Sequence, residues 1–146
     1  MFKFVVCLAV LTVSLSHVRA KVTDETEQAL LAHLDGWMEE CGKELNLDAK
    51  EIKKLHVTNG KLEGIDKCFV SCVLKKEGTI NKEGKFDLET ALEVLRQVVK
   101  NEDDLKIMEA ASKTCLAVND QAVSDGDKGC ERAYNLVICI RKQKNQ

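Results

Sequence analysis

Apolar residues along this chain recur at spacings of three and four rather than two, which predicts helices and leaves little support for strands. The absence of proline fits that pattern. A first helix is expected to begin near Asp24, with Glu27 as its capping-box partner and a stripe of Leu30, Leu34, Trp37 and Cys41, and Gly42 is placed to end it. Asp48 with Glu51 opens a short second helix through Ile52 and Leu55 that should stop near Asn59-Gly60. The third carries Ile65, Cys68, Phe69, Cys72 and Val73 and stops at Gly78.

Between Gly78 and Asp87 an Asn-and-Gly turn is flanked by two apolar residues, Ile80 and Phe86, expected to point inward. Asp87 can cap a fourth helix bearing Leu88, Ala91, Leu92, Leu95, Val98 and Val99. Asp103 or Asp104 can cap a fifth, with Leu105, Met108, Ala111, Cys115 and Val118. Residues 119–129 break the pattern. A last helix, capped near Asp127, carries Cys130, Ala133, Tyr134, Val137, Ile138 and Cys139. No internal repeat or low-complexity tract interrupts this order.

The first twenty residues change the picture. Lys3 precedes an apolar run from Phe4 to Leu15, and Val18-Arg19-Ala20 forms a small-residue cleavage site, so residues 1–20 are expected to be a signal peptide and residues 21–146 a single secreted domain. The run is too short to span a bilayer, and no later stretch is apolar enough, so stable membrane insertion is not expected. Cleavage removes Lys3 and Arg19 from 22 basic residues, leaving 20 against 24 acidic ones, a formal charge of −4. That sign disfavours a nucleic-acid partner, because phosphate binding needs a basic surface. No Asn-x-Ser/Thr sequon is present.

Cleavage also removes Cys7, which turns seven cysteines into an even six: Cys41, Cys68, Cys72, Cys115, Cys130 and Cys139. In an oxidising compartment these read as three disulfides. Cys68 and Cys72 sit one helical turn apart with Cβ atoms about 6 Å from each other, too far for the ~3.8 Å a disulfide prefers. Cys130 and Cys139, nine helical residues or roughly 13 Å apart, are excluded in the same way. Ten of the fifteen conceivable pairings survive, and spacing goes no further. Structural zinc sites bring their cysteines in short CxxC-like pairs, which this scattered set lacks, so no metal is expected.

The order Cys41-x26-Cys68-x3-Cys72-x42-Cys115-x14-Cys130-x8-Cys139, behind a signal peptide and within an all-helical pattern, resembles the insect odorant-binding protein family. The resemblance covers nearly the whole mature chain. It implies the bonds Cys41–Cys72, Cys68–Cys130 and Cys115–Cys139, and a fold of six α-helices around an internal apolar pocket. It also implies a carrier of small hydrophobic ligands such as odorants and pheromones, with an odorant receptor or a second copy of the chain as further partner. The alternative within the same frame is a non-olfactory extracellular carrier of lipids or hormones in haemolymph, gland or seminal fluid.

By position, the residues resembling the family's pocket walls are Leu34, Val70, Leu74, Ile80, Phe86, Leu95, Met108, Ala111, Leu136 and Ile140. Tyr134 is the candidate polar handle, since a buried hydroxyl needs a partner and could bond a ligand carbonyl or alcohol. Only Trp37, Phe69, Phe86 and Tyr134 remain as aromatics after cleavage, so aliphatic walls are expected.

His33 and His56 stand in no zinc-binding arrangement, and the default for each is a solvated helix residue. No nucleophile elbow, phosphate loop or metal cluster is present, and no catalytic residue or cofactor is expected. A secreted helical lipase would need a His-Asp dyad near a calcium loop, which His33-Leu34-Asp35 does not form. A saposin-like module would need close cysteine pairs near both ends, which are absent.

Overall fold

The structure is a computed structural model that describes residues 21–48 and 63–146. Among these residues the chain forms five α-helices: α1 (Asp24–Glu44), α2 (Lys67–Glu77), α3 (Leu88–Val98), α4 (Glu102–Cys115) and α5 (Cys130–Lys144). The fold is all-α, as the apolar spacing implies. Two short 3-10 turns, Leu116–Asp120 and Gly126–Lys128, fill the stretch where the helical pattern breaks. The expected signal peptide, the short helix opening at Asp48 and Glu51, and His56 lie outside the described residues.

Most helix ends fall near their sequence signals, but the capping residue is displaced at three of them. Thr23, rather than Asp24, caps α1 by accepting from the Thr26 amide, and the Glu27 carboxylate turns to Lys144 instead. Asn101, rather than Asp103 or Asp104, caps α4 by accepting from both of their amides at 3.0 and 3.1 Å. Asp125, rather than Asp127, accepts from the Cys130 and Glu131 amides at the start of α5, at 2.7 and 3.1 Å. In each case a residue of equivalent capping chemistry stands one to three positions earlier. α1 also runs through the buried Gly42 to Glu44, where Leu45 and Leu47 amides close on the Cys41 and Gly42 carbonyls. Asp66, Asp87 and Gly78 behave as their types dictate: the two carboxylates cap α2 and α3, and Gly78, at φ 100°, ends α2.

Ile80 and Phe86 pair across the turn as an antiparallel bridge, and both are buried. The Asn81 side chain accepts from the Glu83 and Lys85 amides inside that turn. The Asn119 side chain then serves Phe86 as a strand neighbour would, accepting from its amide at 2.8 Å and donating to its carbonyl at 2.9 Å.

Three disulfides join Cys41 of α1 to Cys72 of α2, Cys68 of α2 to Cys130 of α5, and Cys115 of α4 to Cys139 of α5. These are the pairs the family resemblance implies. On the loop-entropy model each contributes about 3–4 kcal/mol. Four helices are thereby tied in the order α1–α2–α5–α4. α3 is held by packing: Ala91 joins the cluster around Ile80, Phe86, Val118, Ala133 and Leu136, while Leu95 joins Val22, Val99 and Met108. A third cluster, Met38, Cys41, Phe69 and Val73, sits between α1 and α2.

Candidate functional site

Between the crosslinked helices part of the bundle is left unfilled. A cavity of about 690 Å³ lies there, and all five helices contribute to its wall. α1 supplies Leu30, Leu31 and Leu34, and α2 supplies Leu74. Phe86 comes from the turn, Ala91, Val94 and Leu95 from α3, and Met108 from α4. Leu136, Val137 and Ile140 of α5 complete the apolar surface.

Polar groups occupy two regions of this wall. Lys21, Asp24 and Asn145 are exposed, and with Glu27, Arg141 and Lys144 they form a charged rim where the start of α1 meets the end of α5. Lys144 and Glu27 form an ion pair across it. Burial pulls the half-buried Arg141 guanidinium below its usual range, against the opposing effects of Glu27 and Tyr134. Farther in stand Glu77, Thr79 and Ser112.

Glu77 is the unusual group. Its side chain is only 8% exposed. Burial raises its pKa above the ordinary carboxylate value, partly offset by the hydrogen bond from Thr79 and the nearby His33. Thr79 donates to Glu77 Oε2 at 2.9 Å. His33 Nε2 lies 3.4 Å from Oε1 but is buried without a hydrogen-bond partner. The His33 ring meets Trp37 edge-on.

Of the residues singled out in sequence, Leu34, Leu74, Phe86, Leu95, Met108, Leu136 and Ile140 line the cavity. Val70 and Ile80 are packed behind it in the cluster that includes Ala133 and Leu136, and Ala111 is buried on α4 beside the wall residue Ser112. Tyr134 is not a wall residue, and the Lys67 ammonium sits 5.0 Å from its ring centroid. The wall residues not singled out as pocket contacts include Leu30, Leu31, Val94, Val137, Glu77 and Thr79. Helical spacing carries a signal for several of them: Leu30 and Leu31 fall one turn before Leu34, Val137 one turn before Ile140, and Glu77 one turn beyond Val73 and Leu74.

Helices crosslinked around an apolar cavity, with a few polar groups set into its wall, are the architecture of a small-molecule binding protein. The chain matches the PBP/GOBP family over residues 23–143 and belongs to it. Among solved structures it is similar to the odorant-binding protein dmelOBP28a from Drosophila melanogaster, with 28% sequence identity and a TM-score of 0.59 over 83% of this chain and 95% of that one. Among the described residues no helix is long and apolar enough to cross a membrane.

Proposed function

We propose that this protein is a secreted carrier that takes small hydrophobic molecules, odorants or pheromones, into the central cavity and moves them through aqueous fluid to receptors. The observation that carries the reading is the cavity itself, about 690 Å³ with apolar side chains from every described helix. That volume lies within the ~300–1,000 Å³ typical of small-molecule sites. A poorly soluble ligand gains about 25 cal/mol for each Å² of apolar surface withdrawn from water, so carriage needs walls rather than reactive groups. Leu34, Leu74, Phe86, Leu95, Met108, Leu136 and Ile140 are the proposed contacts. The signal-like segment at residues 1–20 supports secretion.

The test is uptake of N-phenyl-1-naphthylamine, a fluorescent apolar probe. Saturable binding near one probe per chain, reversed by small apolar competitors, is expected. A protein that keeps its helical circular dichroism yet shows no saturable uptake would not be such a carrier.

A further inference from the structure

A carboxyl group in an apolar wall is costly unless something pairs with it. The Glu77 side chain is more than nine-tenths buried, and Thr79 donates a hydrogen bond to its Oε2. The other oxygen faces His33 Nε2 at 3.4 Å without a hydrogen bond, and that nitrogen is itself left without one. The cavity wall to which it belongs is largely hydrocarbon, with Leu34, Leu74, Phe86 and Ala91 among its lining residues. A carboxylate can accept about four hydrogen bonds, so acceptor capacity remains. The group also stands apart from the charged rim: His33, its neighbour, lies six residues along α1 from Glu27, about 9 Å of helical rise.

Resting on the carrier reading, we propose that Glu77 is a specificity-determining residue and that the cavity prefers an apolar molecule bearing a basic amine, whose ammonium group pairs with the Glu77 carboxylate while its hydrocarbon fills the aliphatic wall. An ammonium adds several hydrogen-bond donors and a full positive charge to the Thr79 hydroxyl and the His33 ring already beside the carboxylate. Charge-assisted hydrogen bonds are roughly twice as strong as neutral ones, which places an amine ahead of an alcohol of the same length. A carboxylic acid would set a second negative charge beside the first and is the disfavoured member of the series. Burial raises the pKa of Glu77, and an ammonium placed beside it would oppose that effect by favouring the ionised form.

The experiment displaces N-phenyl-1-naphthylamine from the mature protein at pH 7 with decylamine, decan-1-ol and decanoate, which share one chain length. Decylamine is expected to compete about tenfold better than either of the others, the scale of one favourable charged hydrogen bond. Glu77→Gln, which keeps the shape and removes the charge, should bring decylamine to the level of decanol when each competitor is scored against the variant's own probe affinity. Glu93→Gln, the same charge change on an exposed position of α3, should keep the preference. Equal or weaker competition by decylamine in the wild type overturns the proposal whether or not the variants fold, as does a preference that survives Glu77→Gln. Absence of saturable probe binding by the folded wild type would remove the carrier reading and the amine assignment together, whereas probe binding with the wrong ranking removes the assignment alone.

Discussion

The carboxylate of Asp104 accepts a hydrogen bond from the Thr26 hydroxyl at 2.6 Å, joining the first turns of α4 and α1 across 78 positions of sequence. Thr23 adds its own hydroxyl at 2.5 Å and its amide at 3.2 Å to the same oxygen. Asp104 and Thr26 are both buried. One buried carboxylate thus positions the N-terminus of the helix that supplies Leu30, Leu31 and Leu34 to the cavity.

Asp104→Ala should lower stability by about 1–3 kcal/mol, the usual loss when buried polar groups are left unsatisfied. The pH dependence follows from the direction of its pKa. Burial raises it, but the hydrogen bonds from Thr23 and Thr26 outweigh burial and hold it below the ordinary value of 3.8. A depressed carboxyl contributes stability above its unfolded pKa and loses it as pH falls through the folded one. Urea titrations should therefore show a gap between wild type and variant at neutral pH that narrows below about pH 4. A gap that stays constant into acid would show that the carboxylate charge is not what matters.

Glu77 has the opposite sign. Its raised pKa means the fold favours the protonated acid, so ionisation above the folded pKa costs stability, and acidification through that value towards the ordinary 4.5 restores it. Glu77→Gln should be more stable than wild type at pH 7 in the absence of ligand, with the advantage vanishing in mild acid. Thermal melts at the two pH values check the crossover.

Non-reducing peptide mapping should link Cys41 to Cys72, Cys68 to Cys130 and Cys115 to Cys139. Replacing Cys68 and Cys130 together unties α2 from α5 and should cost about 2–5 kcal/mol. A different dominant set of linked peptides would require another packing of the helices.

Gly84→Ala should destabilise more than an average surface change. At φ 72° the backbone is left-handed, and an added Cβ would stand 2.8 Å from the Gly126 carbonyl oxygen. Gly129, at φ 68°, approaches from the same side, with its own added Cβ 3.0 Å from Gly84 Cα. Strain of this kind costs about 1–3 kcal/mol, and the displaced turn carries Phe86, so probe affinity should fall as well. A melting temperature equal to wild type would contradict this close approach.

The helices were legible because Leu30, Leu34, Ala91, Leu95 and Met108 repeat at helical spacing, and the inward turn because Ile80 and Phe86 bracket an Asn-Gly pair. The caps were less so: Thr23 beside Asp24, and Asn101 before Asp103 and Asp104, offer similar oxygens, and tertiary partners choose between them. Once Asn101 caps α4, Asp104 is available to bind Thr23 and Thr26. Spacing alone shows which face of a helix is apolar, but not whether that face meets a neighbour or a void. Val70 and Leu74 share α2, yet the first is packed into the core and the second lines the cavity. Glu77 follows Lys75 and Lys76 at a charged helix end and is not singled out in sequence, although its register with Val73 and Leu74 turns it inward.

In sequence, the seven residues after Cys139 can at most cover an opening, with Ile140 inward and Arg141, Lys142 and Lys144 in water. α5 instead continues to Lys144: Ile140 lines the cavity, Arg141 is half-buried, and Lys144, with its side chain 17% exposed, pairs with Glu27. With Ile140 its sole apolar residue, the segment from 140 onward has no stripe able to fill the cavity, so it serves as rim rather than as plug. Deleting residues 141–146 removes the last turn of α5 and should raise the dissociation rate of the bound probe severalfold at pH 7. Lys144→Ala should do so by about two- to fivefold, because a partly exposed ion pair is worth at most ~1 kcal/mol. Stopped-flow dilution at pH 7 and pH 5 separates a rim from a switch. The truncated protein should release probe faster at both values. If it instead holds its ligand at pH 5 while the full chain lets go, the tail drives release and the rim reading is wrong.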